Sequence, residues 1–350
     1  MTLIQKLAAV LCLAGAFLCQ ASQAADKAGH NSYFDNTGRS DVLSGGVRMI
    51  PIQTAKGTFH VWTKRVGNNP TIKVLLLHGG PGATHEYLEA FDSYFPGASI
   101  EYYYYDQLGS TYSDQPDDPE LINSLPRYVE EVEQVRQALG LDSNNFYLFG
   151  HSWGGLLAIE YALKYQQHLK GLIISNMVSS IPDYNKYADT VLMPAMDQKA
   201  LAEIMSLEKA GKYADPRYEE LLGKYYYVDH LLRMPEDQWP EPVVRSFVKH
   251  TNPKVYVPMQ GPSELGSHNA ILEKWDRTAD LPKISVPTLT VGARYDTMDP
   301  AYMKMMSTKV QHGRYLYCPK GSHMAMYDDQ ATYFAGVIRF IKDVDRGAVK

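Results

Sequence analysis

Asn145-Phe146-Tyr147-Leu148-Phe149, then Gly150-His151-Ser152-Trp153-Gly154, then Gly155-Leu156-Leu157-Ala158-Ile159-Glu160-Tyr161-Ala162-Leu163: an apolar run, a serine between two glycines, and a run with helical character. Strand, G-x-S-x-G, helix is the setting in which a serine sits on a sharp, strained turn with its hydroxyl exposed. Side chains at the two glycines would collide with the neighbouring strand and helix. The start of the helix offers unpaired N–H groups to a developing negative charge. Ser152 is therefore the candidate nucleophile. A chance serine in a glycine-rich turn is the competing reading, and the flanking strand and helix weigh against it.

On either side of this stretch the chain alternates strands and helices. Ile72-Lys73-Val74-Leu75-Leu76-Leu77, Ile100-Glu101-Tyr102-Tyr103-Tyr104-Tyr105 and Leu172-Ile173-Ile174-Ser175 are short, mostly apolar runs of the kind that form buried strands. Ser124 and Pro126 open a helix whose Val129, Val132, Val135 and Leu139 share one face, and Gly140 closes it. Val47–Ile52 and Phe59–Thr63 read as antiparallel opening strands. Thr288–Gly292 and Tyr315–Cys318 alternate with helical segments near Pro300–Met306 and Ala331–Val344. Such β-α alternation predicts an α/β fold, a mostly parallel central sheet with helices on both faces. The rhythm breaks between 178 and 282, where Ala195–Ala210 and Arg217–Leu232 are the clearest helical patches. That segment reads as a helical lid placed over the C-terminal ends of the strands, where open α/β sheets bind ligands. The expected division is core 45–177, lid 178–282 and core 283–346.

A serine nucleophile needs a base, and the base needs an orienting acid. In a strand–serine–helix fold they follow in the order Ser, acid, His. Gly292-Ala293-Arg294-Tyr295-Asp296 ends a strand and Gly321-Ser322-His323 follows the last one. Position and order single out His323 among eleven histidines, and Asp296 as its acid. Asp299 competes, but Pro300 beside it marks a helix start that Asp299 would cap. The oxyanion needs two convergent N–H donors: the backbone of Trp153, and Gly80 in the loop His78-Gly79-Gly80-Pro81-Gly82. No metal or dinucleotide motif is found, and no cofactor is expected.

Composition narrows the class. The chain of 350 residues is 45% hydrophobic, enough for one large core plus an insertion, and its formal charge of −5 gives no reason to expect nucleic acid or an anionic membrane as a partner. Lys6 precedes the apolar run Leu7–Leu18, too short to span a bilayer, and Ala21-Ser22-Gln23-Ala24-Ala25 follows. This matches a cleavable export signal over residues 1–25, cut after Ala24 or Ala25, and implies a periplasmic or secreted protein with no stable membrane association. A retained anchor is the alternative, since one lysine makes a thin n-region. Removal of Cys12 and Cys19 leaves Cys318, so no intrachain disulfide is available. The polar stretch Asp26–Ser44 is expected to be irregular and partly disordered.

Taken together, His78-Gly79-Gly80-Pro81-Gly82, Asp106-Gln107-Leu108-Gly109-Ser110, Gly150-His151-Ser152-Trp153-Gly154-Gly155 and Gly292-Ala293-Arg294-Tyr295-Asp296 resemble the proline iminopeptidase family of α/β-hydrolases over nearly the whole chain beyond the signal. The resemblance implies a serine exopeptidase or amidase that releases an N-terminal residue, proline or another small apolar one, from peptides or amino-acid amides, with Ser152, Asp296 and His323 as triad and Gly80 and Trp153 as oxyanion hole. It also implies a lid carboxylate for the substrate's free amine. Met259-Gln260-Gly261-Pro262-Ser263-Glu264 matches that segment and makes Glu264 the candidate; a buried ammonium needs such a partner. Two departures stand out: Thr111 replaces the family's second glycine after Gly109, and Thr297 stands where some members carry a second acid. Amine recognition then rests on Glu264 with another group, such as Asp299. An esterase or lactonase would use the same triad without an anionic subsite. A non-catalytic binding protein would not need the intact Ser-Asp-His set. The oligomeric state stays open.

Overall fold

The computed structural model describes residues 32–349; the expected signal over 1–25 lies outside them. Eight strands form one sheet: β1 (Val47–Thr54), β2 (Gly57–Val66), β3 (Lys73–Leu77), β4 (Glu101–Asp106), β5 (Phe146–His151), β6 (Gly171–Ser175), β7 (Thr288–Ala293) and β8 (Gly313–Cys318), in the order β1-β2-β4-β3-β5-β6-β7-β8. The hairpin β1–β2 and the pair β2–β4 are antiparallel, and every other pair is parallel.

The central strands are apolar without alternation because both faces are covered. Leu75 and Leu77 of β3, with Phe146 and Leu148 of β5, enter one core; Val74, Leu76, Tyr147 and Phe149 enter the other. The first core is closed by α1 (Leu125–Leu139), α2 (Trp153–Tyr165) and the methionines Met303 and Met306 of α7 (Pro300–Lys309). The second is closed by α8 (Gln330–Asp345), through Tyr333, Phe334, Val337, Phe340 and Ile341. Each such side chain contributes about 1.5–3 kcal/mol by leaving water.

Between β6 and β7 lie α3 (Ile181–Tyr187), α4 (Gln198–Lys209), α5 (Pro216–Leu222) and α6 (Pro253–Gln260), joined by shorter turns. The pattern over 217–232 predicts one helix. The chain instead leaves α5 for a π-helical turn, Gly223–Tyr227. Bulges of this kind cluster at functional sites, and this one directs the Tyr226 hydroxyl to the Glu264 carbonyl at 2.9 Å. α4 and α5 share a separate apolar cluster containing Leu192, Ile204, Tyr218 and Leu222, whereas Ile181, Tyr184, Val255 and Met259 of α3 and α6 belong to the main core.

Residues 32–44 are irregular as expected, a run of turns ending in one 3-10 turn at Val42–Ser44, but they are tied to the sheet. Tyr33 is buried and donates to Ile100 O at 2.7 Å. Asp41 takes a forked pair from Arg65 of β2 at 2.9 and 2.7 Å. Polar composition masked this tether because its partner lies on a strand 24 residues away, and a buried guanidinium demands a carboxylate.

Candidate active site

The turn between β5 and α2 holds Ser152 at φ 54°, ψ −128°, a left-handed conformation that costs a non-glycine residue about 1–3 kcal/mol. Packing enforces it. A Cβ on Gly150 would lie 2.0 Å from Gly154 O, and one on Gly154 would lie 2.2 Å from Leu77 O, so helix and strands touch backbone to backbone. Ser152 N donates to Ser175 O at 3.0 Å, and Ser152 O accepts from Gly155 N at 2.7 Å.

The loop after β3 meets this turn directly: a Cβ on Gly79 would stand 2.8 Å from Ser152 Cβ. Among the described residues the backbone N–H groups of Gly80 and Trp153 make no hydrogen bond, which leaves both available to an oxyanion. Gln107 stitches their two loops together. Its Nε2 donates to His78 O at 3.4 Å, and its Oε1 accepts from Trp153 Nε1 at 2.8 Å. Gln107 lies in the Asp106–Ser110 motif, where no local feature marks it for this task.

Asp296 and His323 come together as expected. Asp296 Oδ1 accepts from His323 Nδ1 at 2.7 Å and from Met298 N at 3.2 Å, while Asn176 Nδ2 donates to Asp296 Oδ2 at 2.7 Å. Thr297 Oγ1 lies 3.3 Å from both Asp296 Oδ1 and His323 Nδ1. Asn176 went unread; its only signal is its place directly after β6. Burial pulls the His323 imidazolium toward deprotonation, but the charge and hydrogen bond of Asp296, aided by Glu264 and Asp328, outweigh it and hold the group above its ordinary value. His323 Nε2 and Ser152 Oγ are not hydrogen-bonded to each other, and neither has another protein partner among the described residues. Such contacts are often long in free enzymes and tighten with substrate. Asp299 is committed elsewhere: its Oδ1 accepts from Ala301 N at 2.8 Å, capping α7. Cys318 is buried in β8, and burial pushes its thiol well up.

Glu264 is buried and faces inward. Its Oε1 accepts from Tyr256 Oη at 2.6 Å, and Tyr184 Oη, which donates to the Glu264 carbonyl at 2.7 Å, lies 3.4 Å from Oε2. Among the described residues no lysine, arginine or histidine pairs with it. Burial first, and the Glu264 charge second, push the phenols of Tyr184, Tyr226 and Tyr256 well above their usual value, so they remain O–H donors. Tyr256 spans two parts of the site: its Cε2 stands 3.7 Å from where a Gly80 Cβ would be, and its hydroxyl meets Glu264. Phe247 also borders Gly80, at 3.4 Å by the same measure. Trp239 packs on the second core and donates to Met234 O. Thr111 donates to His250 O at 2.9 Å, tying its loop to the segment between β6 and β7.

The α/β hydrolase fold profile matches residues 73–330. A proline iminopeptidase of Elizabethkingia meningoseptica is 58% identical over 298 residues, covering 85% of this chain and 98% of that one. One of Chitinophaga pinensis is 54% identical over 300 residues, covering 86% and 99%. The crystal structure of proline iminopeptidase from Mycobacterium smegmatis shares the fold, with a TM-score of 0.74 at 24% identity over 86% of this chain and 99% of that one.

Proposed function

Since this chain belongs to the proline iminopeptidase family of α/β-hydrolases, we propose that it releases N-terminal proline from peptides and amides through an acyl-enzyme formed on Ser152. It is a serine hydrolase of the aminopeptidase type. Ser152 attacks the carbonyl carbon as His323 takes its proton, and Asp296 steadies the resulting imidazolium. The N–H groups of Gly80 and Trp153 hold the oxyanion. His323 then protonates the departing amine, and water, activated by the same base, clears the acyl group.

One observation carries the substrate assignment. Glu264 is a buried carboxylate that meets neutral hydroxyls and no cation among the described residues, one tyrosine ring away from Gly80, and its charge acts on His323. A buried anion without a counter-charge is costly, and the ammonium of an unblocked N-terminal residue supplies one. An esterase has no use for it. The test compares a prolyl arylamide, its N-acetyl form and a simple aryl ester. Acetylation is expected to lower kcat/KM at least about 100-fold, the cost of leaving a buried charge unpaired. Glu264→Gln is expected to raise KM strongly for the free-amine substrate and hardly at all for the ester. Equal turnover of blocked and free substrates would overturn the aminopeptidase reading.

Export through the signal at residues 1–25 belongs to the same proposal, supported by the apolar run Leu7–Leu18 and the small residues after it. N-terminal sequencing of the protein from the periplasm or medium is expected to begin at Ala25 or Asp26. A chain recovered with Met1 in the membrane fraction would refute it.

A further inference from the structure

Two buried groups behind the nucleophile have no part in the mechanism so far. His151, the residue before Ser152, is fully buried, as is Tyr87. Tyr87 Oη lies 2.6 Å from Gly79 N and 3.0 Å from His151 Nδ1, and His151 Nε2 lies 2.8 Å from His323 O.

The proton positions in this chain follow from its two ends. A carbonyl oxygen only accepts, so His151 Nε2 carries the hydrogen that points at His323 O. Burial, reinforced by the neighbouring His323 charge, holds His151 far below the ordinary imidazole range, so it is neutral and its Nδ1 is a bare acceptor. Tyr87 must then donate to Nδ1. That leaves the Tyr87 oxygen to accept from Gly79 N–H, which can only donate. Every group is satisfied in one direction only: Gly79 N–H to Tyr87 Oη, Tyr87 O–H to His151 Nδ1, His151 Nε2–H to His323 O.

The three stations on this chain are the three moving parts of the reaction. Gly79 adjoins the oxyanion donor Gly80, His151 adjoins the nucleophile, and His323 is the base. We propose that Tyr87 and His151 are positioning residues that fix the oxyanion loop and the base loop relative to the Ser152 turn through this one-way relay. Neither touches the reacting atoms; each acts by locking backbone whose placement, to within about an ångström, decides the rate. The inference rests on the serine-hydrolase reading of the site.

The experiment measures kcat and KM on prolyl arylamide for the wild type, Tyr87→Phe, His151→Phe, the double variant and His151→Gln, with circular dichroism to verify folding. Tyr87→Phe keeps the ring and removes the hydroxyl. It is expected to lower kcat roughly 10- to 100-fold, less than the 100- to 1,000-fold cost of deleting an oxyanion donor itself, with KM within about twofold because Glu264 is untouched. His151→Phe is expected to fall in the same range. The double variant should lie within about threefold of the worse single, since both break the same chain. His151→Gln restores a donor near the Nε2 position and is expected to recover most of the loss. A folded Tyr87→Phe enzyme with kcat within about threefold of wild type, multiplying losses in the double variant, or a drop in kcat matched by an equal rise in KM would overturn the relay. Should His151→Phe fail to fold, Tyr87→Phe and His151→Gln decide the matter. A wild type inactive on the arylamide would instead indict the substrate assignment; the same ratios are then read on the aryl ester.

Discussion

Replacing Ser152 by alanine is expected to lower kcat on prolyl arylamide by about a million-fold and to abolish labelling by a fluorophosphonate probe. The turn that strains Ser152 is held by backbone contacts of Gly150 and Gly154, not by the hydroxyl, so it survives the substitution. Gly80, Trp153 and Glu264 keep their places, and KM should move by no more than a few-fold. The residual rate, about 1,000- to 10,000-fold over water, would come from binding and oxyanion donation alone. Loss of less than about 1,000-fold would mean that another group attacks the substrate.

Asp296→Asn is expected to cost about 10,000-fold in kcat, because an amide beside His323 Nδ1 favours the wrong tautomer. Its pH signature is the sharper test. His323 must be neutral to accept the serine proton, and in the wild type its imidazolium is held above the ordinary value against the pull of burial. The acid limb of kcat/KM therefore lies above about pH 6.5. Without the Asp296 charge burial prevails and the limb moves to lower pH. Stability follows the same linkage. A raised folded-state value means that the ion pair stabilises fully below the unfolded histidine value and loses this contribution as pH rises through the folded one. The Tm difference between wild type and variant should thus be widest in acid and shrink toward neutral and alkaline pH. An unmoved acid limb would show that Asp296 does not govern His323.

The parts of this site that sequence revealed are those fixed by local chain geometry. Ser152 announces itself because a strand, a tight turn and a helix are consecutive in the chain, and Asp296 and His323 because each follows a recognisable strand. Glu264 was reached only through resemblance, since a Glu after Gly-Pro-Ser carries no local sign of burial. Tyr87, His151, Asn176 and Gln107 carried no such sign either. Their roles arise from partners that lie far along the chain, as between His151 and His323, 172 residues apart, and a hydroxyl on a buried ring looks like core until its partner is located. The segment between β6 and β7 was legible as helical but not in detail: the π-helical turn at Gly223–Tyr227 answers to the Glu264 backbone, which local propensity cannot register.

The segment between β6 and β7 is bolted down at two places. His323 N and Met324 N donate to His230 O and Leu231 O, each at 2.9 Å. On the opposite side Ser246 Oγ donates to Thr84 O at 2.9 Å and Asn252 N to Gly82 O at 2.8 Å, while buried Glu86 receives Arg245 and His250, each at 2.7 Å. Neither foot can lift without dragging His323 or the glycine loop out of register. The apolar cluster of the outer pair α4 and α5 takes in Tyr226 and Leu265, the neighbour of Glu264, so a shift of that pair would be felt at Glu264 and not at Ser152 or His323.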